Sequence, residues 1–174
     1  MASLSLLVQA TYSQYCLNPM DADQGEPDYS GGNGLVWVDP KSGTVVVFTG
    51  VDTGHIALTY EVAEQAPPLG SEEWDEVVET SATITGDSLF IGGPTIIEEL
   101  LKAPLPATPG QTRTYRMRVC ARGRDQGREA GYIDVDEGDE LVEQHRITLW
   151  PAPAAPENRI KLTDEVGAQH RAGD

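Results

Sequence analysis

Residues 112–125, TRTYRMRVCARGRD, constrain the fold more than any other stretch. Tyr115, Met117, Val119 and Ala121 alternate with Thr114, Arg116, Arg118, Cys120 and Arg122. Successive side chains of a strand point to opposite faces, so this period of two predicts a strand with one face in a core and one face wet. The polar face is unusual. Six arginines and one acid fall between residues 113 and 128, in a chain of net charge −16. Residues 1–112 carry −14, residues 113–128 carry +5 and residues 129–174 carry −7. Glu76, Glu79, Glu140 and Glu143 fall on expected strands, and cross-strand pairs of opposite charge stabilise by roughly 0.2–1 kcal/mol each. The arginines are therefore expected to act chiefly as a counterweight inside the sheet. Only Arg122 and Arg124, around the Gly123 turn, are expected to reach a partner.

Other alternating or β-branched runs surround this strand. Residues 4–16 read as one strand, followed by a long turn-rich loop over 18–34. Residues 35–38 and 44–49 form a hairpin across Asp39-Pro40-Lys41-Ser42-Gly43, where Pro presets φ and Gly accepts a positive one. Residues 54–62, 74–84, 88–91 and 141–150 complete the strands. Residues 95–102, TIIEELLK, place Ile96, Ile97, Leu100 and Leu101 on one helical face between Pro94 and Pro104, which predicts a short helix. Residues 123–138 read as a second polar loop. The expected fold is all-β: an antiparallel β-sandwich of about eight or nine short strands with one short helix, with a closed barrel as the alternative. Residues 1–153 are expected to form that domain. Residues 154–174 read as a Pro/Ala-rich, largely irregular tail with a short ordered segment at 159–163.

The chemistry of the chain narrows its function. A strongly negative protein lacks the cations that a phosphate backbone requires, which argues against nucleic acid and anionic membrane as partners. The same charge steers a basic protein toward it. Cys16 and Cys120 are too few for a disulfide scaffold or zinc site; two reduced thiols are expected, with one bridge between them as the alternative. Among arginines, Cys120 would be activated if exposed. His55, His145 and His170 lack metal-ligand spacing. His145 sits on a strand, where a general acid–base role is weighed against a solvated side chain. Asp21-x-Asp23-x-Gly25 and Asp134-x-Asp136-x-Gly138 begin like calcium loops, but Gly32 and His145 stand where the closing Glu belongs. No GxSxG motif or phosphate cradle is present. No enzyme activity, metal or cofactor is expected. The first residues alternate and lack a basic leader, so they read as a strand rather than a signal peptide. No run reaches the length of a membrane span, and a cytoplasmic location is expected.

Three features carry a family resemblance: Pro109-Gly110 followed by TYRMRVCARGRD, a later strand ending in LWPAP at residues 149–153, and an opening strand with Tyr12 and Tyr15 before a loop leading into GLVWV. In these the chain resembles small acidic proteins common in actinobacteria, and is similar in layout to the competence protein J family of nuclease inhibitors. The resemblance spans about half the chain and leaves residues 63–104 unmatched. It implies a β-sandwich that binds and blocks a nuclease, and it carries over no individual functional residue.

Charge and resemblance together predict an acidic, non-enzymatic inhibitor or immunity-type partner of a basic nuclease or toxin. Its contact residues are expected to be Asp21, Asp23, Glu26, Asp28, Arg122, Arg124, Asp134, Asp136, Asp139 and Glu140. Two other readings stay open. One is a calcium- or carbohydrate-binding sandwich with Tyr29, Trp37, Tyr60 and Trp74 as stacking faces. The other is an assembly subunit using the C-terminal tail.

Overall fold

The computed structural model describes residues 2–19, 32–95 and 100–173. Two sheets face each other. The first runs, in spatial order, β1 (Ala2–Ala10), β5 (Thr53–Val62), β11 (Gln144–Pro151), β9 (Thr112–Arg122), β6 (Glu76–Thr85) and β12 (Asn158–Leu162), with the two-residue β10 (Tyr132–Ile133) beside β5. The second runs β3 (Val36–Val38), β4 (Val45–Phe48), β2 (Gln14–Pro19), β7 (Ser88–Gly92) and β8 (Leu101–Pro104). Every pairing is antiparallel except β10 and β11 against β5. The expected sandwich is therefore present, with twelve strands among the described residues. Among the described residues no helix is long and apolar enough to cross a membrane.

The basic strand lies near the middle of the first sheet, as β9. Tyr115, Met117, Val119 and Ala121 are fully buried in the inter-sheet core, with Ile56, Leu58, Ile147 and Leu149 from neighbouring strands and Leu17, Val45, Val47 and Leu89 from the facing sheet. The other face is covered rather than wet. Arg118 donates to the Pro67 and Pro68 carbonyls and to Glu79, and Arg116 donates to the Ala155 and Pro156 carbonyls. Both arginines are 8% exposed. Two proline-containing straps thus cross the arginine face. Proline lacks an N–H but keeps its carbonyl, and a guanidinium offers several donors to such acceptors. The counterweight expectation holds for Glu79, which sits between Arg116 and Arg118.

Four expectations need correction. Residues 4–16 are not one strand. Tyr12 and Ser13 take φ of 52° and 56°, and the chain turns there from β1 in one sheet to β2 in the other. Two residues with positive φ make a tight primed turn, but without Gly or Asn nothing in the sequence announced it. The helix expected at 95–102 has its centre, residues 96–99, outside the described residues, while Leu101 and Lys102 belong to strand β8. Pro104 ends that strand by removing a ladder donor. The loop over 123–138 contains helix α1 (Arg124–Ala130), which follows Gly123 at φ 79°. Its sequence, RDQGREA, has no apolar stripe because it packs through Gly127, where an added Cβ would lie 2.4 Å from Glu143 Oε2 and 2.9 Å from Val51 N.

The fourth correction concerns the tail. Residues 154–174 are not largely irregular. They supply β12 and helix α2 (Glu165–Ala172), with Val166 5% and Asp164 4% exposed. Composition hid this because α2 is held by ion pairs instead of an apolar face. Asp164 caps it through Gly167 N at 2.7 Å, and Asp125 of α1 accepts from Glu165 N and Val166 N. A chain ended after Glu157 is therefore expected to lose about 3–5 kcal/mol or more, since buried charges would be left without partners. Thermal unfolding followed by circular dichroism checks this; an unchanged midpoint would mean that α2 is dispensable.

Candidate interaction surface

Asp134, Asp136, Asp139 and Glu140 come together with Glu137 in one exposed loop between β10 and β11. The loop is built by its own carboxylates. Asp134 Oδ1 accepts from Asp136 N at 2.9 Å, Asp139 Oδ2 accepts from Asp134 N at 2.9 Å, and Tyr132 donates its hydroxyl to Asp134 Oδ2 at 3.2 Å. That bond to a carboxylate holds the Tyr132 proton and raises its pKa. Val135 N donates to His55 Nδ1, which lies 3.8 Å from Asp134 Oδ1. Asp136, Glu137 and Glu140 project from this short-range scaffold into solvent.

Arg122 lies at the same end of the sheet, where β9 ends opposite the start of β11. It stacks on Trp74, with Arg146 on the same ring at 5.3 Å, and Glu73 lies 3.6 Å from Arg122 and 3.7 Å from Arg146. Arg122 is 40% exposed, so it remains open to contact. Asp21, Asp23, Glu26 and Asp28 lie outside the described residues, as does Tyr29. Trp74 is 4% and Tyr60 1% exposed, so neither offers a stacking face for sugar. Among the described residues no group of three acidic, His or Cys side chains is placed to hold a metal ion.

Arg124 corrects the sequence reading most sharply. It is fully buried and reaches no partner surface. Its Nε and Nη2 grip Asp164 at 2.6 and 2.7 Å, and Nη1 donates to the Gly34 and Phe48 carbonyls. Glu76, also fully buried, lies 3.8 Å from Arg124 and accepts from Arg171 and from Asp164 N. Burial, and then the charge of Asp164, push the Glu76 carboxyl up to about 7 against the pull of the two arginines. Burial also opposes ionisation of Asp164, but the Arg124 bonds and charge outweigh it and hold that carboxyl below its ordinary range.

A second buried network was missed. Glu143 accepts from Gly50 N and Val51 N and binds His145 Nε2 at 2.7 Å; His145 Nδ1 lies 3.0 Å from the Tyr15 hydroxyl. With the Glu143 carboxylate as acceptor, Nε2 donates, and Nδ1 accepts from Tyr15, whose proton is retained because burial and Glu143 raise its pKa well above ordinary. Chain order Tyr–Glu–His hides this relay, though Glu143-x-His145 has the spacing that puts two side chains on one face of an extended segment. The solvated reading of His145 is thus replaced: all three side chains are at most 1% exposed. The network orders the turn at residues 50–51 and the start of β11. Both thiols are free and buried, and burial raises Cys16 to about 11 and Cys120 to about 12 despite Arg118 and Arg146, so the activated thiol considered for Cys120 does not arise.

Two expectations follow. Arg124→Met strands Asp164 and Glu76 and is expected to cost about 3–5 kcal/mol, against at most about 1 kcal/mol for Arg128→Met in an exposed pair with Glu165; urea unfolding measures both. Between the ordinary carboxylate range and about 7, the folded state keeps a proton on Glu76 that the unfolded chain has released. This group's contribution therefore weakens as pH rises through that window. His170, lowered by burial and then by Arg124, works in the opposite direction as pH falls. The difference between wild type and Glu76→Gln isolates the first effect: the variant's stability relative to wild type is expected to rise with pH from about 5 to about 8. A flat difference would contradict it.

No protein-family model matches the chain, and no curated protein matches it. Solved structures do. ComJ from Bacillus subtilis, described as the inhibitor of the DNA-degrading activity of NucA, superimposes with a TM-score of 0.56 at 10% identity, over 87% of this chain and 98% of that one. The protein of crocagin biosynthetic gene J superimposes with a TM-score of 0.50 at 17% identity, over 88% of this chain and 100% of that one. At these identities the likeness is one of fold. The chain has a ComJ-like layout, as the resemblance read from its sequence implied.

Proposed function

We propose that this protein is a non-enzymatic, acidic binding protein that inhibits or neutralises a basic protein, with a nuclease as the first candidate. The observation that carries the reading is the exposed loop at 134–140. It holds five carboxylates and no basic residue, braced by its own hydrogen bonds. Bracing lowers the ordering cost of association, and clustered charge of one sign speeds encounter with the opposite sign. A nuclease site that holds phosphate is cationic, so carboxylates presented on a rigid sandwich are suited to occupy it. The fold likeness to a nuclease inhibitor supports this reading. The buried Tyr15–His145–Glu143 relay resembles a catalytic arrangement, yet it touches no exposed surface and belongs to the frame.

The test couples capture to activity. Immobilised protein is incubated with native lysate at low salt, eluted at high salt, and the eluate assayed for nuclease activity with and without added protein. A basic nuclease released by salt and blocked by added protein is expected. Asp136→Lys with Glu140→Lys should weaken inhibition by about tenfold or more, because neither side chain is part of the described loop bracing. A captured nuclease inhibited equally by wild type and this variant would remove the loop from the interface. Absence of any retained basic protein at low salt would count against the reading as a whole.

A further inference from the structure

The described residues present four sheet edges, and three are protected in familiar ways. β12 carries Arg159 and Lys161 and breaks register between them. β8 has four residues, including Lys102 and Pro104, and β3 has three. Charges, proline, irregular register and shortness all discourage pairing with another chain. β1 has none of these. It is nine residues long, pairs with β5 in unbroken register from Ala2↔Val62 to Ala10↔Gly54, and no described strand pairs its other side. It contains no charge and no proline; the first charged residue of the chain is Asp21.

The outer flank of β1 is also unfinished as a core boundary. Leu4 and Leu6 pack against the inter-sheet core but are only partly buried, and Leu7 is 43% exposed on the opposite face. We propose that β1 pairs antiparallel with β1 of a second copy, making the first sheet continuous across a two-fold axis. An axis at Ser5 sets Leu4 of each copy beside Leu6 of the other on the core side, and Ser3 beside Leu7 outside. The inward and outward sets then match without a slip of register. Beyond Leu7 the flank is less open: a Cβ on Gly93 would lie 3.0 Å from the Gln9 carbonyl.

Charge selects the second copy over the basic partner. Two molecules of charge −16 repel, and the uncharged edge is where they can approach with least repulsion. The nearest carboxylate by register is Glu61, opposite Ser3 on β5, and it is occupied by Thr148 at 2.9 Å. A basic protein finds no carboxylate on β1 to recognise. The described residues of each chain present one such edge, so the assembly closes at two.

Light scattering with sedimentation velocity at low and high salt tests the proposal. Wild type is expected to be dimeric, with association strengthened by salt because screening relieves like-charge repulsion. This is opposite to the salt response of an acidic–basic complex, so the two readings fail separately. Ser5 is exposed and outward-facing, and Ser5→Lys and Ser5→Asp each set like charges across the axis. Each variant should weaken association by about tenfold or more, and an equimolar mixture should restore the dimer. The two substitutions shift net charge in opposite directions, so a shared loss cannot come from overall repulsion, and a circular dichroism spectrum matching wild type confirms folding, whereas a lower melting point alone follows from the lost association. A monomeric wild type at both salts would overturn the proposal. So would dimers of both variants as tight as wild type.

Discussion

The fully buried guanidinium of Arg124 is the interaction on which the rest of this structure depends. Carrying a charge out of water costs several kcal/mol unless it is paired and every donor is satisfied. Arg124 meets that condition only by drawing in distant parts of the chain: Asp164 at the start of α2, the Gly34 carbonyl in the bend before β3, the Phe48 carbonyl at the end of β4, and Glu76 from β6. The requirement is reciprocal. Asp164 and Glu76 are equally buried and need Arg124 and Arg171. The cluster therefore closes one end of the sandwich, where apolar residues alone would leave two short helices without a reason to dock.

The glycines at this end follow from the same constraint. An added Cβ at Gly167 would lie 2.7 Å from Arg124 Nη2, and one at Gly34 would lie 2.5 Å from the Gly167 carbonyl. Helices of seven and eight residues have little intrinsic stability in water. Here close backbone approach and charge-assisted hydrogen bonds replace the apolar stripe that would ordinarily hold them. The Glu143–His145–Tyr15 relay does the same work for the turn at residues 50–51, and it also abuts Gly127 of α1.

Much of the sandwich was legible because its strands are amphipathic at a period of two. β9 shows this most clearly: the four residues assigned to its core face are all fully buried. The acidic loop at 134–140 was legible from its composition and is exposed as expected. The helices were not, because α1 and α2 bury polar atoms and glycines, which leave no hydrophobic periodicity. The turn at Tyr12 and Ser13 was hidden because neither residue advertises a positive φ. Arg122 and Arg124, two residues apart, look equivalent in the sequence. The Gly123 turn and α1 between them send Arg122 onto the face of Trp74 and Arg124 into the interior.

By itself, the sequence determined the fold class, the core face of strands such as β5 and β9, and the acidic character of the chain, since alternation and net charge are local or additive properties. The tertiary structure alone decided which charges are exposed and which are internal struts. Burial of a charge depends on partners brought from far along the chain, such as Asp164 for Arg124 and Glu143 for the backbone at residues 50–51. No local pattern encodes that meeting. The arginine-rich strand that organises the sequence turns out to anchor proline-containing straps through Arg116 and Arg118, and the residue just beyond its end, Arg124, locks the C-terminal helix in place.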